Sequence, residues 1–139
     1  MCGIFGVLGF NNFKVPNTEK SLEIIKSLVH RGPDAINVFV QKEFAVGHSR
    51  LAIIDLDKGN QPMFSKDKRW VLSYNGEIYN YLKIKRDLQS LGSSFSTNSD
   101  TEVLLNGLIK FGYQFLNKIE GMFAFALYDN KKKELLLGR

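Results

Sequence analysis

The chain has 139 residues, about the length of one domain, and its 44% apolar content is enough to fill a core. A single cysteine excludes an internal disulfide and a disulfide-stapled secreted fold, and no apolar run approaches the ~20 residues needed to cross a bilayer. The net charge of +5 comes from 19 basic residues scattered among 14 acids, so no basic face is laid out for nucleic acid.

In chain order, Gly3 to Gly9 is apolar at nearly every position, which predicts a strand buried on both faces. Thr18 is placed to cap a helix from Glu19 to about Val29, with Leu22, Ile25, Leu28 and Val29 as its apolar stripe. Strands are expected at Ile36–Gln41, Phe44–His48 and Leu51–Ile54, followed by a turn-rich loop from Asp55 to Pro62. Trp70–Tyr74 reads as another strand that ends in Asn75-Gly76. Two helices follow, about Asn80–Leu91 closed by Gly92 and Asp100–Phe111 closed by Gly112. A strand pair, Met122–Tyr128 and Glu134–Gly138, is joined across Asn130 and a lysine-rich tip. No linker, repeat or low-complexity tract breaks this order, so residues 1–139 read as one α+β domain with antiparallel strands and helices outside. The closing strand lacks a polar tail, from which we expect the front part of a longer protein. The first residues show no basic stretch followed by an apolar run, so no secretory signal is expected, and a cytoplasmic location suits the lone thiol.

The chemistry concentrates in a few residues. Cys2 directly follows the initiator Met1, and removing Met1 would leave a thiol and a free α-amine on one residue. Such a residue supplies both nucleophile and base; the alternative is a small buried apolar side chain. Asn75-Gly76 is either a tight hairpin turn or an oxyanion hole built from a side-chain amide and a backbone N–H. Arg50 needs a partner: either a substrate carboxylate or an ion pair with Asp55, Glu77 or Asp100. Glu77 and Asp100 suit a substrate ammonium, and Asp100 also suits a helix N-cap. His30 or His48 could pair with the cysteine, although nothing local orients either ring. Two histidines and one cysteine, widely spaced, match no zinc pattern. A redox role lacks a second cysteine to resolve a mixed disulfide.

Seven strings in order resemble the amidotransferases whose nucleophile is an N-terminal cysteine, and among them the glutaminase domains of glutamine-hydrolysing asparagine synthetases. They are Met1-Cys2-Gly3-Ile4-Phe5-Gly6, His30-Arg31-Gly32-Pro33-Asp34, Gly47 to Leu56, Gly59-Asn60-Gln61-Pro62-Met63, Tyr74-Asn75-Gly76-Glu77-Ile78-Tyr79-Asn80, Ser99 to Leu105 and Gly121 to Asp129. The phosphoribosylpyrophosphate and fructose-6-phosphate amidotransferases share the cysteine and the Asn-Gly pair but differ around them.

The resemblance implies a four-layer α/β/β/α N-terminal-nucleophile hydrolase sandwich with two antiparallel sheets face to face, cut short at its C-terminus. It implies that Cys2 attacks the carboxamide of L-glutamine and that its α-amine relays a proton to the departing ammonia. Asn75 and Gly76 would form the oxyanion hole, Arg50 would bind the α-carboxylate, and Glu77 and Asp100 would take the α-ammonium. Backbone groups near Leu51 and Ile53 would complete the pocket. No cofactor is implied for this domain; ATP and Mg belong to a synthetase domain beyond residue 139 that amidates aspartate with the ammonia. A sugar or secondary-metabolite acceptor, a non-catalytic module with Met1 retained, and assembly as a homodimer are the alternatives compatible with the same residues.

Overall fold

The computed structural model describes residues 1–11 and 13–139. Among them, three strands form one antiparallel sheet in the order β1-β3-β2: β1 (Gly3–Leu8), β2 (Ala35–Val40) and β3 (Phe44–Arg50). A second antiparallel sheet follows the order β4-β5-β6-β7: β4 (Met63–Phe64), β5 (Trp70–Ile78), β6 (Gly121–Asp129) and β7 (Glu134–Gly138). Helix α1 (Thr18–Lys26) covers the first sheet. Helix α3 (Asp100–Phe111) packs on β5 and β4, with α2 (Tyr81–Ser90) against it. The sheets meet where β1 and β3 face β5, giving the expected α/β/β/α order.

Period-2 alternation divides the core into two layers. From β5 and β6, Leu72, Tyr74, Ile78, Phe125 and Leu127 point toward the helices, where Leu88, Leu104 and Phe115 meet them. Their neighbours Val71 and Tyr128 point the other way, against Phe44 and Val46 of β3. The rings of Phe44 and Tyr128 stack with centroids 4.1 Å apart, joining the sheets. Every residue of β3 is buried, because α1 covers one face and the second sheet the other.

The structure departs from the sequence reading at several ends. Asn17, rather than Thr18, caps α1 by accepting from the Lys20 N–H. That helix stops at Lys26; Ser27 Oγ bonds back to the Ile24 carbonyl, and Val29–Arg31 form a separate 3-10 turn. Leu51–Ile54 is not a strand. The N–H groups that would start a ladder there go instead to Cys2 Sγ (from Leu51) and to the Asp34 carboxylate (from Ala52, 2.7 Å). Asn75-Gly76 is not a turn either: β5 runs through both residues, paired with β6 from Trp70↔Asp129 to Ile78↔Gly121. A two-residue hairpin turn would need positive φ there, and neither residue has it. Strand β4, only two residues long, had no sequence signal. The helix-closing glycines stand as expected, Gly92 and Gly112 both at positive φ.

Tyr128 is fully buried between the sheets, yet its hydroxyl has no hydrogen-bond partner among the described residues. A buried donor left unpaired costs ~1–3 kcal/mol, whereas its apolar isostere does not. Tyr128→Phe should therefore leave the urea-unfolding free energy unchanged or raise it; a loss above ~1 kcal/mol would show that the hydroxyl is satisfied in solution.

Candidate active site

A cavity of ≈ 160 Å³ opens where the ends of β1 and β3 meet the middle of β5 and the start of α3. That volume is below the ~300–1,000 Å³ of drug-sized pockets, so it suits an amino-acid-sized ligand. The eight residues to which the resemblance gave a role line it (Cys2, Arg50, Leu51, Ile53, Asn75, Gly76, Glu77 and Asp100), whereas the candidate partners His30 and His48 do not.

Cys2 reaches the cavity because β1 pairs antiparallel with β3, Gly3 opposite Ser49, which sets the preceding residue beside Arg50 and Leu51. The Leu51 N–H donates to Cys2 Sγ (3.3 Å), and the thiol donates back to the Leu51 carbonyl (3.6 Å). Arg31 Nε holds the Cys2 carbonyl at 3.0 Å. The His30–Asp34 turn clamps the same place, since Ser49 Oγ donates to the Gly32 carbonyl (2.6 Å) and the Asp34 N–H to the Arg50 carbonyl (2.9 Å). That turn therefore positions Cys2, and its own His30 is exposed and makes no hydrogen bond to the sulfur.

Arg50 is only 5% exposed and forms none of the ion pairs considered from the sequence. Its Nη1 donates to the Leu56 carbonyl (2.9 Å) and Asn60 Oδ1 (3.4 Å), and its Nη2 to the carbonyls of Asp55 (2.6 Å) and Ile54 (3.3 Å). Carbonyl oxygens orient the guanidinium without cancelling its charge, so the cavity keeps an unneutralised cation on one wall.

The opposite wall is acidic. Asp100 is buried at the first turn of α3, where Ser99 is the cap in its place. Asp100 Oδ2 accepts from the Tyr74 hydroxyl (2.8 Å) and the Ile78 N–H (3.2 Å). Burial pushes its carboxyl above the ordinary value, against those hydrogen bonds, while burial and the Asp100 charge push the Tyr74 phenol far up. Glu77 is exposed at the cavity edge. Asn75 and Gly76 face Ala124 and Phe123 of β6. A Cβ on Gly76 would lie 2.3 Å from the Met122 carbonyl, so no larger residue fits between the strands there.

Three residues without an assigned role in the sequence hold this wall. Gln61 accepts from the Tyr74 N–H (2.6 Å) and donates to Thr101 Oγ1 (3.3 Å). Glu102 accepts from the backbone and hydroxyl groups of Ser96 and Thr97 and so shapes the segment leading into α3. Met122 lines the cavity mouth. Gln61 and Glu102 both stand inside quoted strings. The contacts of Gln61 reach 13 and 40 residues along the chain, beyond any local pattern, whereas those of Glu102 lie five and six residues away and a helix-start pattern could have pointed to them.

His48 is buried between the sheets, and its Nε2 lies 3.0 Å from the Tyr74 carbonyl, to which it donates. Nδ1 has no partner among the described residues, and the ring makes no hydrogen bond to Cys2. Burial lowers its pKa from 6.5 to about 4. Unfolded, the ring takes a proton near pH 6.5; folded, it resists protonation until about pH 4. Between those values the unfolded chain holds more protons, so stability is full above pH 6.5 and falls as pH drops toward 4. The expected loss across that window is about 3 kcal/mol, and His48→Gln, which removes the titration, should flatten most of it in denaturant melts.

The chain matches the family described as the glutamine amidotransferase domain over residues 1–139. It is 40% identical to asparagine synthetase B [glutamine-hydrolyzing] of Escherichia coli (strain K12), over 100% of this chain and 25% of that protein. It is 39% identical to asparagine synthetase [glutamine-hydrolyzing] 1 of Bacillus subtilis (strain 168), over 99% of this chain and 22% of that protein. The chain thus spans about a quarter of the length of the relatives it matches. Among solved structures, the glutamine phosphoribosylpyrophosphate amidotransferase from B. subtilis, complexed with ADP and GMP, superposes with a TM-score of 0.73 at 24% identity, over 94% of this chain and 35% of that one. This second likeness bears on the fold alone.

Proposed function

The chain belongs to the glutamine amidotransferase domain family, and from that premise we propose that it hydrolyses L-glutamine to glutamate and ammonia with Cys2 as nucleophile. The observation that carries this reading is the convergence in one cavity of a held thiol, a buried cation, an Asn-Gly pair and two acids. Glutamine lies with its α-carboxylate toward Arg50 and its α-ammonium toward Glu77 and Asp100, which directs the side chain to Cys2. Sγ attacks the carboxamide carbon, and the resulting oxyanion is held by the Asn75 amide and the Gly76 N–H. Collapse of this intermediate breaks the C–N bond; ammonia leaves with a proton relayed by the Cys2 α-amine, and water then hydrolyses the thioester to glutamate. The relay requires removal of Met1, which lines the cavity and is 60% exposed. The relatives are named glutamine-hydrolysing asparagine synthetases, and the same reading has the ammonia serve asparagine synthesis, by ATP-dependent amidation of aspartate in a synthetase domain.

Intact mass before and after exposure to 6-diazo-5-oxo-L-norleucine, a glutamine analogue that alkylates such nucleophiles, tests the reading. The expected result is loss of the Met1 mass plus one adduct on Cys2, suppressed by excess glutamine. Retained Met1 with no adduct would sink it and leave a non-catalytic module. Asn75→Ala should cut kcat by about 10²–10³-fold, the cost of one oxyanion donor, with a much smaller change in KM; an unchanged kcat would remove Asn75 from the hole.

A further inference from the structure

Recognising an α-amino acid requires an anion site and a cation site held a fixed distance apart, because both charges sit on one carbon. Here the two walls come from unrelated parts of the chain. Arg50 is embedded in the loop 51–60, and Asp100 opens α3. Gln61 and Thr101 join the walls at one point, as described above. A second join is made by Asp55 alone. Its carbonyl accepts from Arg50 Nη2 (2.6 Å) and from the Gly59 N–H (2.9 Å). Its carboxylate accepts from the Asn98 N–H through Oδ2 (2.6 Å) and from the Lys58 N–H through Oδ1 (3.1 Å).

The far end of this bridge is itself rigid. Asn98 lies two residues before Asp100, and Lys85 Nζ fixes the segment by donating to Asn98 Oδ1 and the Thr97 carbonyl, both at 2.8 Å. Glu102 holds Ser96 and Thr97 from the other side. Asp55 also sits at φ 52, a left-handed conformation that aspartate and asparagine tolerate better than most residues. The conformation lets one residue send its carbonyl to Arg50 and its side chain toward Asn98. The hydrogen bond from Asn98 lowers the carboxyl pKa, so the acceptor stays ionised at neutral pH.

We propose that Asp55 is a positioning residue for glutamine, setting the separation between the Arg50 wall and the Asp100 wall by bonding to both. This inference rests on the glutaminase reading. Asp55 touches no reacting atom, so its loss acts on ground-state binding and leaves the Cys2 chemistry in place.

Two substitutions separate side chain from backbone. Asp55→Gly keeps the left-handed conformation and deletes the acceptor; Asp55→Asn keeps both the conformation and an Oδ1 that can accept from Asn98. With Met1-processed protein, Asp55→Gly should raise the KM for glutamine roughly tenfold, the worth of a charge-assisted hydrogen bond, with kcat changed less than about twofold. Asp55→Asn should restore KM to within about threefold of the parent. The glutamine concentration that half-protects Cys2 from 6-diazo-5-oxo-L-norleucine should shift with KM. A parent protein that is not alkylated overturns the glutaminase reading itself. A parent that is alkylated and protected, with Asp55→Gly protected at the same glutamine concentration, overturns only the role of Asp55. A fall in kcat with KM unchanged, or failure of Asp55→Asn to rescue, would also overturn it.

Discussion

The structure around the cavity depends on keeping one guanidinium charged in a place that is 5% exposed. A buried ion without a counter-ion costs on the order of several kcal/mol, and the chain offsets this with oxygen dipoles in place of a carboxylate. Four acceptors, three of them main-chain carbonyls within Ile54–Leu56, surround the two terminal nitrogens of Arg50. For successive carbonyls to point the same way the backbone must depart from an extended path, and the positive φ of Asp55 is that departure. The same crowding explains Gly59, where a Cβ would lie 2.6 Å from Nη2. The loop is therefore shaped from inside by the cation, and the positive charge that remains is available to an incoming carboxylate.

Tyr74 does for the other side what Arg50 does for the loop. Its N–H goes to Gln61 Oε1, its carbonyl takes the His48 Nε2 hydrogen, and its hydroxyl goes to Asp100. One residue thereby ties the central strand of the second sheet to the first sheet, to the loop before β4 and to α3. Asn75 and Gly76 follow it directly in an extended strand paired with β6, so their direction is set by strand alternation, without loop freedom. Sites built on strands hold geometry better than sites on loops, and here the loop-borne groups are the ones that need added bonds.

The α+β class, the two antiparallel sheets, the three helices and several of the cavity-lining residues were legible in the sequence, the last because Cys2, Arg50, Asn75, Gly76, Glu77 and Asp100 each stand in a distinctive string. Most of what was not legible around the site shares one cause, local preference yielding to a distant partner, whereas the ends of α1 were set locally, by Asn17 and Ser27. Asn75-Gly76 has the composition of a tight turn, but nine residues of register with β6 outweigh it. Leu51–Ile54 has strand composition, but Cys2 and Asp34 take its first two N–H groups. Arg50 invites an ion pair, and the three acids considered for it are engaged with N–H and hydroxyl groups or lie exposed. Ser99 displaces Asp100 as the cap because Asp100 is drawn inward to Tyr74 and Ile78. None of these outcomes around the site follows from a window of neighbouring residues.

The position of Cys2 separates its chemistry from the stability of the fold. Strand pairing begins at Gly3, opposite Ser49, so the nitrogen of Cys2 lies outside the ladder. Cleavage of the Met1–Cys2 bond removes no strand hydrogen bond, and Met1 packs in no core cluster. Cys2 is held by other means: its carbonyl by Arg31, its sulfur by both ends of the Leu51 peptide. A peptide that offers the sulfur one donor and one acceptor keeps its contact whether or not the sulfur carries a proton. Removal of Met1 would therefore leave β1, and the sheet it edges, where it is.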